Sequence, residues 1–279
     1  MYTELETFLR VILPTSILSV EHHLALKSIR IHQVARWTSI FGVYEVVFYR
    51  EPSTSLEEFT EHKALIEEHW KYFFTPPYLR RRLIPRNPAL KYVGMLPPIR
   101  LGVFNVSRRP QRSELRIGYV YRSTSEKLKA LIGDSVAYSV INECSKTGLI
   151  PVRVKDVEKH TVECLETPVY MGPRLSFTNS LKEAIEKYRY NTRFMVATDK
   201  SGVYPEKEVV ESMRGSIITL LFGGPKYDLF EISSQESFDL KKHVDFVWNT
   251  IPRQKVVSVR TEEAVIITLG IVNAFLRGL

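Results

Sequence analysis

Gly223 and Gly224 follow directly on an apolar run, Ile217 to Phe222, and precede Pro225. That pattern predicts a buried strand stopping at a glycine turn. Glycines at the carboxyl edge of a strand let a ligand approach the backbone, because no Cβ stands in the way. Further on, Val244 to Val247 predicts a second buried strand, ended by Asn249 and Pro252. Thr261-Glu262-Glu263-Ala264 then opens a helix, since a Thr and two carboxylates suit a helix N-terminus. Ala264, Thr268, Ile271, Val272 and Phe275 continue it at helical spacing. The chemistry open to such a site is binding through backbone groups. The sequence has no HExxH, GxSxG, P-loop or GxGxxG pattern, so zinc hydrolysis, serine hydrolysis and phosphate cradling find no support. His22, His23 and His160 lack partners at metal-ligand spacing, and no metal is expected.

A second feature is electrostatic. Arg80, Arg81, Arg82, Arg86 and Lys91 occur without an acidic residue among them, flanked by Tyr78 and Tyr92. Arginine pairs bidentately with phosphate, and tyrosine offers a stacking face, so the run is a candidate RNA contact. Arg108, Arg109 and Arg112 share one turn and are further candidates. The alternative for both is a solvated face. The whole chain has 279 residues and a formal net charge of +8, which favours a polyanionic partner.

The elements that must position these residues alternate. Phe8 to Leu13 predicts a strand, His22 to Phe41 a helix stopped by Gly42, and Val43 to Tyr49 a strand. Short joints between them imply a parallel βαβ unit. Ser55-Leu-Glu-Glu58 and Ser180-Leu-Lys-Glu183 are capping boxes that open helices to about Trp70 and Tyr188. Phe194 to Gly202 predicts a strand running into a polar turn, and Glu206 to Met213 a short helix. Residues 99–167 differ. Leu101–Val106, Leu115–Tyr121, Ser135–Ile141, Leu149–Val154 and Thr161–Leu165 are five short strand candidates, which predicts a small antiparallel barrel. Cys144 and Cys164 are the only cysteines and form no CxxC. They predict a reducing compartment and no disulfide. No apolar run approaches the ~18 residues of a membrane span, and no signal peptide is apparent. The expected setting is therefore cytoplasmic, with no membrane partner.

The Leu221-Phe-Gly-Gly-Pro225 strand end, the Asn249-Thr-Ile-Pro-Arg-Gln254 loop and Ser258-Val-Arg-Thr-Glu-Glu-Ala264 resemble the cofactor loops of the SPOUT (SpoU–TrmD) RNA methyltransferases. Ala35-Arg-Trp-Thr-Ser-Ile-Phe-Gly-Val43 resembles the first motif of that superfamily. Phe73 to Arg86, with Leu90 to Pro98, resembles an archaeal and eukaryotic subfamily carrying an OB-like insertion. The resemblance implies an α/β fold, a SPOUT-type parallel sheet with a C-terminal trefoil knot, plus the inserted barrel. It divides the chain into a methyltransferase domain of residues 1–98 and 168–279 around an RNA-contacting module, 99–167. It implies S-adenosylmethionine (SAM) as cofactor, held by Thr198, Asp199, Phe222, Gly223, Gly224, Pro225, Asn249, Ile251, Pro252, Ser258, Val259 and Thr261. It places Arg36 at the reactive nucleotide. Glu262 and Asp199 are open candidates for the general base, and Glu262 reads equally as a first-turn helix carboxylate. It further implies a homodimer paired through the C-terminal face. The expected substrate is structured RNA, ribosomal before transfer RNA. A non-catalytic RNA-binding protein on the same scaffold, a protein methyltransferase and an unrelated nucleotide-binding α/β enzyme are the rivals.

Overall fold

The computed structural model describes residues 6–278. They form two compact units, one of residues 6–70, 89–96 and 172–278, the other of 71–88 and 97–171. The expected boundaries put residues 71–88 with the methyltransferase domain; compactness groups them with the barrel instead.

In the first unit, β1 (Phe8–Pro14), α1 (Leu24–Ile40), β2 (Glu45–Tyr49) and α2 (Leu56–Phe73) follow the expected alternation. β1 and β2 are almost wholly buried and apolar but for Arg10 and Glu45, as strands covered on both faces are. Pairing is parallel throughout, in the order β11-β9-β10-β1-β2-β8. Here β8 is Arg174–Thr178, β9 Phe194–Val203, β10 Ile217–Leu221 and β11 Phe246–Trp248. Sequence periodicity had missed β8. On one face, Ile12, Val47, Tyr49, Met195 and Leu221 pack under α4 (Leu181–Arg189) and α6 (Leu229–Gln235). Phe48 points to the other face and meets Trp70 of α2 edge-on. Helix α7 (Thr261–Leu276) packs on α1 and on α5 (Lys207–Glu211). Because all strands run the same way, the loops after β9, β10 and β11 emerge at one edge.

The second unit holds a closed barrel of β3 (Leu115–Arg122), β4 (Leu128–Leu131), β5 (Tyr138–Val140), β6 (Gly148–Asp156) and β7 (Thr161–Cys164). Counted within the barrel the order is 1-2-3-5-4, that of an OB fold. Three details differ from expectation. Leu101–Val106 is no strand but a 3-10 turn, Gly102–Phe104, with Leu101 and Phe104 buried three residues apart. Leu128–Leu131 is a strand despite its Lys, because antiparallel pairing with β3 overrides local preference. The barrel is also mixed rather than antiparallel, since β5 and β7 close it in parallel.

The cysteine expectation is overturned. Cys144 and Cys164 form a disulfide with a Cα–Cα separation of 5.7 Å, tying the segment after β5 to the end of β7. Spacing along the chain could not reveal this, because β7 returns to lie beside β5.

Candidate functional site

The loops at the carboxyl edge of β9, β10 and β11 enclose a cleft of about 200 Å³. This is where open parallel sheets present ligands. Thr198, Asp199 and Lys200 come from β9, and Phe222, Gly223 and Gly224 follow β10. Asn249, Ile251, Gln254, Val257, Ser258 and Val259 follow β11, and Thr261 and Ala264 open α7. Ten of the twelve residues implied by resemblance thus meet in one cleft. Pro225 and Pro252 do not line it.

The glycine loop is fixed by its carbonyls. Thr198 Oγ1 donates to the Leu221 carbonyl at 2.8 Å, Tyr49 Oη to Phe222 at 2.9 Å and Thr261 Oγ1 to Gly223 at 2.9 Å. Three successive carbonyls are therefore held by hydroxyls from β9, β2 and α7. Tyr49 is fully buried, and burial, with the nearby charges of Glu51 and Glu236, holds its phenol well above the usual range. Replacing Tyr49 by Phe strands the Phe222 carbonyl. The expected loss is about 1–3 kcal/mol of stability, read by urea denaturation; an unchanged midpoint would show that the bond contributes nothing.

The third loop is set the same way. Asn249 Nδ2 donates to the Lys200 carbonyl at 2.9 Å, and its Oδ1 accepts the Ile251 amide at 3.1 Å. Gln254 Nε2 bonds the Val256 and Val257 carbonyls at 3.1 and 3.2 Å. Glycine matters at both loop positions. A Cβ on Gly223 would stand 3.1 Å from Asp228 Cα, and one on Gly224 2.1 Å from Glu51 Oε2. The lining mixes hydroxyl, amide and backbone groups with apolar side chains such as Phe222, Leu229, Trp248 and Val259, with carboxylates at Asp199 and Asp228 and one cation, Lys200. That donor set suits the adenosine and sulfonium of SAM and lacks the cationic cradle a phosphate needs.

Sequence reasoning missed Asp228, which accepts the Phe230 and Glu231 amides at 2.9 Å and caps α6. Its signal was the capping box Asp228-x-x-Glu231, and that helix had gone unassigned.

Glu262 lies outside the cleft lining. It is 3% exposed and pairs with Arg30 Nη1 at 2.7 Å. Arg30 also grips Glu21 at 2.6 Å, and Arg260 joins Glu21 at 3.1 Å. Burial pushes the Glu262 carboxyl up, Arg30 draws it part of the way back, and Glu263 and Glu21 add to the rise. This network ties α1 to α7. Arg36 is half-buried on α1 and also lies outside the lining.

The arginine run divides. Helix α3 (Pro77–Leu83) carries Arg80 inward, where it stacks 4.4 Å over Tyr72 and donates to the Thr75 and Phe73 carbonyls. Tyr78 is spent on the barrel: its hydroxyl donates to the Ile117 carbonyl at 3.0 Å and accepts the Ile117 amide at 3.1 Å. Arg82 is exposed but donates to the Ser135 carbonyl at 2.6 Å. Arg81, Arg86, Arg108, Arg109 and Arg112 are exposed. Among the described residues no group of His, Cys, Asp and Glu could hold a metal ion, and no helix is long and apolar enough to cross a membrane.

Comparison with known proteins adds the family. An uncharacterized protein of Halobacterium salinarum is 26% identical over 93% of this chain and 96% of its own length. A Drosophila melanogaster protein named 28S rRNA (uridine-N(3))-methyltransferase is 24% identical over 94% of this chain; the match spans 61% of that protein. A crystal structure titled as a putative RNA methyltransferase from Bacillus anthracis aligns with 96% of this chain and 94% of its own, at 11% identity and a TM-score of 0.42. The profile of the family described as "Putative RNA methyltransferase" matches residues 9–272, nearly the whole chain, which therefore belongs to that RNA methyltransferase family.

Proposed function

We propose that this protein is a SAM-dependent methyltransferase of ribosomal RNA, acting on N3 of a uridine. The observation that carries the reading is the cleft itself: three loops at one sheet edge, pinned by hydroxyl-to-carbonyl bonds and lined by hydroxyl, amide and apolar groups without a phosphate cradle. The activity named for the Drosophila relative supplies the base and atom. When bound, SAM provides an activated methyl group on a sulfonium. The chain's own contribution is then alignment, which is worth roughly 7–11 kcal/mol at best. The loop carbonyls and amides hold the adenosine, and Arg36 handles the reactive nucleotide. Glu262 supports the N-terminus of α7 through Arg30. On this reading the C-terminal loops are threaded as a SPOUT trefoil knot, which the parallel order β9-β10-β1 and the packing of α7 on α1 support. Calorimetry with SAM, followed by tritium transfer to unmodified ribosomal RNA, tests the proposal. No SAM binding at millimolar concentration would overturn it, and a label resistant to RNase would shift the substrate to protein.

The barrel unit is the proposed RNA-contacting module. Replacing Arg81, Arg86, Arg108, Arg109 and Arg112 together by Ala should weaken RNA binding at every sequence. It should flatten the slope of log affinity against log salt by about 0.7–0.9 for each phosphate that these arginines neutralise. SAM affinity should hold, since none of the five lines the cleft. An unaltered slope would make these arginines a solvated face. Arg80 is left out because its loss would expose carbonyls at the end of α2.

A homodimer completes the reading. Ile267 of α7 and Leu26 and Ile40 of α1 are exposed apolar side chains on two helices that pack together, and apolar surface left exposed in this way supports an interface. Light scattering is expected to give twice the chain mass at micromolar concentration; a monomer would count against it.

A further inference from the structure

A second cavity of about 220 Å³ lies beside the glycine turn. Its walls include Ser16 after β1, Glu51 and Ser53 after β2, Glu58 of α2, and Pro225 and Lys226 of the glycine turn. Glu51 is 2% exposed. Its Oε1 accepts Ser53 Oγ at 2.9 Å, while its Oε2 has no hydrogen-bond partner. Ser16 Oγ lies beside the Glu51 carboxyl and draws it down, and Thr15 Oγ1 is buried without a partner. Buried polar atoms are nearly always satisfied, and leaving a carboxylate oxygen without a geometrically good donor is costly. Gly224 has no Cβ where Oε2 sits, so the carboxylate closes directly on the loop that borders the cofactor site.

Resting on the methyltransferase reading above, we propose that this cavity receives the acceptor base and that Glu51 is the catalytic residue that removes its proton. The base is one with an imide N–H, as in uracil. The Glu51 carboxylate takes the N–H proton and becomes a neutral acid. The freed nitrogen pair bonds the methyl carbon, and the carbon–sulfur bond breaks with its electrons returning to sulfur, leaving a neutral thioether. The Ser16 hydroxyl lies where it can bond a carbonyl beside the N–H. Burial raises the Glu51 carboxyl, which makes it a stronger base; Ser53 and Ser16 oppose the rise, Glu58 adds to it and Lys226 opposes it. Arg50, next in the chain, is engaged by the Thr54 carbonyl at 3.3 Å.

The test is Glu51→Gln, with transfer to in vitro transcribed ribosomal RNA measured under single turnover and SAM affinity measured by calorimetry. Loss of transfer by about 10²–10⁴-fold is expected, the range of a general base. SAM affinity should stay within about threefold, a change worth under 1 kcal/mol. The wild-type rate should rise with pH through the raised Glu51 pKa and then level. In the Gln variant that inflection should vanish, with the rate still climbing at alkaline pH as the acceptor ionises unaided. Glu51→Asp should restore part of the rate together with the inflection, which a role in closing the turn would not do. A Gln variant within threefold of wild type overturns the proposal and leaves the methyltransferase reading standing. A wild-type protein that transfers nothing overturns both. Should the Gln variant fail to fold, Glu51→Asp decides: a lowered rate with the inflection kept upholds the proposal, and an unchanged rate overturns it.

Discussion

Replacing Arg10 by Ala is expected to remove about 3–5 kcal/mol of stability, the cost of leaving one partner of a buried ion pair alone. Arg10 is 3% exposed in the middle of the sheet, and Glu45 beside it is 8% exposed. The guanidinium reaches Glu45 at 2.8 Å from Nε, and from Nη1 reaches Asn191, Thr192 and Thr219 at 3.1–3.2 Å. It also stacks 4.2 Å over the Tyr188 ring. Glu45 takes further bonds from Ser176 at 2.7 Å and Tyr188 at 2.9 Å. One arginine thus joins β1, β2, β10 and the end of α4. Burial alone would raise the Glu45 carboxyl. Hydrogen bonds from Ser176 and Arg10, the Arg10 charge and the Tyr188 hydroxyl outweigh it and hold the group below its ordinary value.

The pH dependence follows from that depression. The unfolded chain binds the proton more readily, so the pair's contribution is present above the ordinary carboxylate pKa. It is lost as pH falls through the depressed folded value. In the Ala variant Glu45 keeps its burial and loses its cation, so the direction reverses and protonation relieves it. The penalty should therefore be largest at neutral pH and shrink in acid, measured by urea denaturation of both proteins at pH 7 and pH 4. A penalty under about 1 kcal/mol at pH 7, or one that grows in acid, would mean that the charge pair is not what holds these strands.

Arg10 also shows where the sequence stopped being informative. Phe8 to Leu13 reads as a buried strand because its neighbours are apolar, and the same run conceals that one member is a charge. The alternation of strands and helices was legible, since period 2 and period 3.6 are written in consecutive residues. Which groups meet across the fold was not. Tyr49, Thr198 and Thr261 sit far apart in the chain and converge on three adjacent carbonyls. Cys144 and Cys164 meet because β7 comes back to β5. Arg80 and Tyr78 carry the chemistry of an RNA contact, yet the fold spends them on carbonyls and an amide of its own. The loops that line the cleft were readable because their glycines and prolines are contiguous. Glu51 belongs to no such run, and only the empty space beside Gly224 draws attention to it.

Gly202→Ala is the second substitution with a large expected effect, and it acts on the cleft through the backbone. Gly202 lies near the end of β9, one residue before Val203, which pairs with Trp248 of β11 across a register shift. A Cβ there would stand 2.6 Å from the Val247 carbonyl oxygen and 2.8 Å from the carbonyl carbons of Val247 and Trp248. All three are backbone atoms, so no side chain can swing aside and the strands must part. The loop that leaves β11 begins at the next residue, and its position depends on the Asn249 amide bonding the Val203 carbonyl at 2.8 Å. Displacing that end moves Trp248, Asn249, Thr250 and Ile251, all of which line the cleft. Overpacking of this kind costs about 1–3 kcal/mol, and SAM affinity should fall by about tenfold or more, or ~1.4 kcal/mol. Gly270→Ala is the matched control. It sits within α7, where the added Cβ comes no closer than 3.9 Å to any atom outside its own helix backbone, on Phe41. Alanine is the better helix former by about 0.8–1.0 kcal/mol. The control should hold or gain stability and leave SAM binding untouched. Paired thermal melts and calorimetric titrations check both. Equal SAM affinities in the two variants would show that the close approach of β9 to β11 does not set the cleft.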